Sequence, residues 1–168
     1  DIDPILDIAE RSGVALEVLS FLGTSSLRLR AERWEVAELE RRTRTALRRV
    51  ARAGLPASFV TEDTVRSHPA VLRRLFTAAV EEGASRLVLC DTAGTATPAG
   101  VQALVRWTLA LLRELGVRDR VAVDFHGHND RALALANTLA AGEAGADRVH
   151  GCVLGMGERV GNAATDQL

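Results

Sequence analysis

Apolar positions recur along the chain with two alternating periods. Residues 5–11 carry a short helical spacing, and residues 14–21 form an apolar run that ends in the polar cluster Gly23-Thr24-Ser25-Ser26. That is the pattern of a buried strand leaving a core. Over residues 33–53 the period becomes 3.6, with Val36, Leu39, Ala46, Leu47 and Val50 on one stripe and arginine and glutamate on the other. The unit then recurs. Strands are predicted at 57–61, 86–90, 121–125 and 148–154, alternating with helices at 69–82, 98–115 and 133–144, and Gly83, Gly116 and Gly145 close those helices. Strand-helix alternation of this kind requires right-handed crossovers and hence a parallel α/β sheet. Units of about 27 to 40 residues would fill a (β/α)8 TIM barrel of about 250 residues with eight repeats, and five are present, so the chain is expected to be a piece of a longer barrel.

Composition narrows the class further. The 168 residues are 47% hydrophobic and 26% charged, enough apolar surface for a real core, and the chain is neither disordered nor fibrous. The 21 basic residues, all arginine, are offset by 22 acidic ones, so the net charge of −1 provides no field for nucleic acid or an anionic membrane. The arginines between Arg41 and Arg52 are laced with glutamate, as in the i,i+4 pairs Glu38–Arg42 and Glu40–Arg44, and read as a solvated helix face. Cys90 and Cys152 have neither disulfide-framework nor metal-ligand spacing, and no apolar run reaches membrane-spanning length, so a reduced cytoplasmic setting is expected.

Each predicted strand places its polar, chemically capable residues at its C-terminal end, the face that carries the site in barrels and open α/β sheets alike. The sharpest group is His126-Gly127-His128. Residues i and i+2 of a strand point the same way, so two imidazoles converge, a start for a divalent metal site. The plainer alternative is a pair of loop residues bonded to each other. The loop from Gly155 to Asn162, one unit later, offers the Asn162 amide oxygen and the Glu158 carboxylate; with imidazoles, such donors suit Zn²⁺, Mn²⁺ or Mg²⁺ without choosing among them. Glu62 is a candidate general base or an exposed helix-approach residue, and Thr92 is suited to gripping a carboxylate or to starting a turn with Asp91. Cys90 reads as core, His68 as surface, Trp34 and Trp107 as packing residues, and His150 as a possible neighbour of the site.

Taken together, these stretches resemble the 2-isopropylmalate synthase and homocitrate synthase group of metal-dependent (β/α)8-barrel acyltransferases and lyases. The likeness rests on His126-Gly127-His128-Asn129-Asp130 and Gly155-Met156-Gly157-Glu158-Arg159-Val160-Gly161-Asn162. It also rests on Ala136-Asn137-Thr138-Leu139-Ala140-Ala141 and Asp91-Thr92-Ala93-Gly94-Thr95-Ala96-Thr97-Pro98, and on Thr61-Glu62-Asp63-Thr64 and Phe21-Leu22-Gly23-Thr24-Ser25. The resemblance implies metal ligation by His126, His128 and Asn162, catalytic roles for Glu62 and Glu158, and substrate carboxylate binding by Thr92. It implies condensation of acetyl-CoA with a 2-oxo acid through an enolate, in amino-acid biosynthesis, by a protein that is a homodimer at full length.

It also implies that the chain covers about strands 4 to 8 of the barrel. The family's arginine-aspartate pair at the end of the first strand has no counterpart here, so the 168 residues alone are expected to be inactive or nearly so. Val60 and Val88 lean toward the branched 2-oxoisovalerate, the leucine-pathway substrate, with homocitrate and citramalate synthases as alternatives. A 3-hydroxy-3-methylglutaryl-CoA lyase is less favoured, because Gly155-Met156-Gly157-Glu158 lacks the lyase cysteine. A metallo-hydrolase is disfavoured by Arg131, which stands where its motif needs histidine. A non-catalytic partial barrel with open sheet edges is the reading of another kind.

Overall fold

The computed structural model describes residues 2–168. Five parallel strands, β1 (Val18–Gly23), β2 (Ala57–Glu62), β3 (Arg86–Asp91), β4 (Ala122–Gly127) and β5 (Arg148–Val149), lie side by side in chain order. An open doubly wound sheet reverses its strand order at a switch point; this one never does, which is the topology of a barrel wall. Helices α1 (Asp3–Ser12), α2 (Ser26–Glu32), α3 (Val36–Arg52), α4 (Pro69–Glu81), α5 (Pro98–Glu114) and α6 (Ala134–Glu143) complete the chain. The larger ones cover the outer face of the sheet.

Alternation along the strands divides the side chains between two faces. Phe59, Leu87, Leu89, Val123 and Phe125 point outward under the helices and are fully buried, with Leu39, Leu47, Leu75, Phe76 and Leu112 meeting them from the helical layer. Phe59 and Phe76 meet edge to face at 6.5 Å, and Trp107 packs on Phe76 at 6.3 Å. Pro69 and Pro98 each occupy the first turn of a helix behind a capping residue: His68 Nδ1 accepts the Ala70 N–H and Thr97 Oγ1 the Gly100 N–H. His68 is therefore a helix cap.

The inward face is polar at its base. Buried Asp124 of β4 accepts hydrogen bonds from Arg86 (2.6 Å) and Arg148 (2.7 Å) and lies 3.1 Å from His150 Nε2. Glu17 completes the group, taking Arg86 and the Ser58 hydroxyl. Burial alone would raise the Asp124 pKa, but hydrogen bonds from His150, Arg86 and Arg148 outweigh it and hold the carboxyl below its ordinary value.

Three elements differ from the pattern-based expectation. The first strand begins at Val18 rather than at residue 14 and continues through Gly23. Its ladder starts where Val18 donates to the Pro56 carbonyl, and proline, lacking an N–H, cannot continue the ladder backward. The expected helix over 33–53 starts at Val36, and a separate α2 precedes it, because Ser25 caps a new helix through the Arg28 N–H and Arg33 ends it at φ 55°. The last strand keeps only two of its seven expected residues. Beyond it Cys152 pairs with Ala164, and Val153–Gly155 form a 3-10 turn with Leu154 at φ 54°, so the chain pairs with its own downstream segment. The arginine face is as expected: Glu38 bonds Arg41 and Arg42, Glu40 bonds Arg44 and Arg74, and Arg42 lies 4.5 Å over the Trp34 ring.

Candidate active site

The C-terminal ends of β2, β3 and β4 and the loop after β5 enclose a cavity of about 450 Å³ lined by Phe21, Val60, Glu62, Cys90, Thr92, His126, His128, Glu158 and Arg159. Parity brings them there. Val60 and Glu62, Cys90, and His126 and His128 occupy alternate positions of neighbouring strands and face inward together. Of the six residues singled out by sequence, five line this cavity. The sixth, Asn162, bridges to His128 across a short antiparallel contact and donates from Nδ2 to the Gly127 carbonyl at 3.0 Å.

The two imidazoles converge. Their Nε2 atoms stand 3.4 Å apart with the ring planes nearly perpendicular, so both nitrogens aim at one region. Burial, reinforced by the charges of His150 and His128, lowers the His126 pKa to about 4, so at neutral pH its ring is uncharged. His128 is 8% exposed and its Nδ1 has no partner, an orphaned buried atom beside the convergent pair. The Asn162 amide is fixed with its nitrogen toward Gly127, which leaves Oδ1 as an acceptor, and the Cys152 thiol donates to it at 3.5 Å. Two convergent imidazoles and an oriented amide oxygen fit a divalent cation. Among the described residues no three His, Cys, Asp or Glu side chains gather closely enough to hold a metal by themselves.

The remaining residues divide by partner. Thr92 Oγ1 accepts the Asp63 N–H at 2.8 Å, so its own proton is free to donate outward. Glu62 lies 3.6 Å from Arg28, whose side chain crosses the space that Gly23 leaves by lacking a Cβ. Glu158 is exposed at the cavity mouth. Asp91 is fully buried and accepts the N–H groups of Thr95 and Ala96, which makes it the organiser of the loop after β3. Cys90 is buried core, and burial, with Glu62 and Asp91 adding to it, pushes its thiol pKa to about 12. Val88 does not reach the cavity: it is 1% exposed, and Phe21 takes the wall position expected for it.

Sequence reading left four contributors without a role or underweighted. His150 stacks edge-on to His126 at 5.6 Å, and the only sequence signal for it was its same-face spacing from Cys152. Asp124 sits two residues before His126 and therefore on the same face, a parity signal that was legible in the sequence. Arg28 and Arg159 reach the site from loops and helices, where no periodicity points to them.

Comparison with known proteins decides the family. The HMGL-like family model matches residues 6–168. The chain belongs to the HMGL-like family. Among relatives, this HMGL-like chain is 32% identical over its whole length to a 2-isopropylmalate synthase of Methylacidiphilum infernorum, covering 33% of that protein. It is 37% identical over its whole length to a putative (R)-citramalate synthase of Methanopyrus kandleri, covering 31% of it. The chain thus spans about a third of the length of these curated relatives. Its fold matches the crystal structure of the Bacillus subtilis HMG-CoA lyase with a TM-score of 0.72 and 25% identity, over 96% of this chain and 56% of that one. The expectations of a parallel α/β barrel wall and of this family are therefore met, with the chain covering part of the HMGL-like barrel. No described helix is long and apolar enough to cross a membrane.

Proposed function

We propose that this chain forms strands 4 to 8 of the barrel of an acyltransferase that condenses acetyl-CoA with a 2-oxo acid. The observation that carries the reading is the convergence of His126 and His128, Nε2 to Nε2 at 3.4 Å, beside an Asn162 amide whose nitrogen is fastened to the Gly127 carbonyl. His126, His128 and Asn162 would hold a divalent cation of the zinc, manganese or magnesium type. Bound there, the cation supplies Lewis acidity toward a ketone oxygen.

The chain's own residues perform the rest. Thr92 spends its oxygen on the Asp63 N–H and so offers its proton to the substrate carboxylate. Glu62 and Glu158 face the same cavity, and one of these carboxylates takes a proton from the acetyl methyl carbon. The carbon so deprotonated adds to the ketone carbon, whose oxygen takes up the electron pair and then a proton; water afterward cleaves the thioester to a free carboxylate and CoA thiol. Phe21 and Val60 give the cavity an apolar wall, which favours the branched side chain of 2-oxoisovalerate over a second carboxylate. The relatives' names support both 2-isopropylmalate and citramalate synthesis, so pyruvate is the second substrate to test.

The test is release of CoA thiol from acetyl-CoA by the complete gene product with 2-oxoisovalerate, pyruvate and 2-oxoglutarate in turn. Release is expected to be fastest with 2-oxoisovalerate. A preference for pyruvate moves the assignment to citramalate synthesis, and no oxo-acid-dependent release with any of the three refutes the acyltransferase reading.

A further inference from the structure

The loop after β5 that carries Glu158 and Asn162 has no apolar anchor: Val153, Leu154, Met156 and Val160 are all exposed by more than half. Polar contacts hold it instead. Arg159 Nε and Nη2 bond the two carboxylate oxygens of Asp130 at 2.9 and 3.0 Å, and Nη2 also bonds the Thr92 carbonyl at 2.6 Å. One guanidinium therefore joins the segments that follow β3, β4 and β5. Its backbone sits at φ 57°, where a non-glycine residue persists only if its surroundings hold it. Just after it, the Gly161 carbonyl takes the Asn129 N–H and the Asn162 N–H reaches back to the Gly155 carbonyl.

We propose that Arg159 is a positioning residue: its fork on Asp130 and the Thr92 carbonyl sets the place of Asn162 and Glu158 relative to His126 and His128. The step from loop position to ligand position rests on the metal-binding reading above. Lysine offers a point charge rather than a two-pronged donor, so it replaces the fork only in part. Glycine at 159 relaxes the backbone and removes the fork, which separates the two effects.

The experiment uses the complete gene product and its Arg159→Lys, Arg159→Gly, Arg159→Ala and Asp130→Asn variants, all compared by thermal melting. Three quantities are read: Co²⁺ affinity by calorimetry, amide hydrogen exchange over residues 153–162, and the KM for the 2-oxo acid. Arg159→Ala, Arg159→Gly and Asp130→Asn are expected to weaken Co²⁺ binding about ten- to a hundredfold, as loss of a ligand-orienting partner does. They should also speed exchange in the loop while leaving the strands protected, with Arg159→Lys intermediate in both. Unchanged exchange in Arg159→Ala overturns the proposal, and so does unchanged Co²⁺ affinity accompanied by a raised KM for the oxo acid, which would make Arg159 a substrate ligand. If the unmodified protein binds no Co²⁺, the metal reading fails by itself and the exchange rates alone decide the clamp.

Discussion

Cys90 shows how far position along a strand determines chemistry. A thiol one residue before Asp91 and two before Thr92 looks well placed to react, and strand parity does put it on the inner wall beside His126, but its neighbours leave it only 5% exposed. Burial, with the nearby Glu62 and Asp91 carboxylates, pushes its pKa to about 12 from an ordinary thiol value of 9.0. The folded state therefore keeps its proton at pH values where the unfolded chain has lost it. Stability from this group is fully present below about pH 9 and is lost at about 1.4 kcal/mol per pH unit from there up to about pH 12. Denaturant melts between pH 8 and pH 10.5 should show that alkaline slope, and Cys90→Val should remove it; an identical slope in the variant contradicts the burial argument. The sequence marked Cys90 as buried because it ends the apolar run Leu87-Val88-Leu89. It did not disclose that Cys152 would donate to Asn162, since that contact depends on a turn at Val153–Gly155 that apolar periodicity cannot distinguish from a strand.

Between elements, the sheet is tied at its C-terminal rim by hydroxyls rather than by apolar contact. Thr64, in the 3-10 turn after β2, donates to the Thr61 carbonyl at 2.6 Å and accepts the Cys90 N–H of β3 at 2.7 Å, all fully buried. Replacing it with valine keeps the shape and strands a buried N–H and a carbonyl. Thr64→Val is therefore expected to cost about 1–3 kcal/mol in urea unfolding, against about 0.5 kcal/mol or less for Arg41→Ala on the solvated face of α3. Equal costs for the two would show that the rim bond contributes nothing beyond a surface ion pair. The elements themselves were legible wherever period, cap and terminator agreed, as for α4 and α5 with their proline starts and glycine ends. They were misplaced where one signal serves two purposes: Gly23-Thr24-Ser25-Ser26 marks a strand exit and also caps α2 through the Ser25 oxygen. The convergence of His126 and His128 was legible because it needs only a period of two. The Arg159 fork and the Arg28 approach to Glu62 were not, because they join segments 29 to 67 and 34 residues apart by loops whose paths no pattern encodes.

At the scale of the whole molecule, the inward face separates into two levels with different needs. The lower level, Glu17, Arg86, Asp124 and Arg148, pairs its charges within this chain, so whatever faces it across the barrel need bring no compensating charge. The upper level does not close on itself. It presents two imidazoles and one amide oxygen, and Leu19 and Phe21 of the edge strand β1 are 47% and 69% exposed, although they point into the barrel. On the metal-binding reading proposed above, a cation held by two imidazoles and one amide would have no charged ligand to retain it, and an open wall admits water to every proton transfer. The 168 residues prepared by themselves are therefore expected to release CoA thiol from acetyl-CoA with any 2-oxo acid well below about 1 per second, the lower end of ordinary enzyme turnover. Co-purified with the remainder of the natural protein, the same chain should reach that range. Turnover of about 1 per second or faster by the 168 residues alone would mean that three donors suffice and that the upper level is complete as it stands.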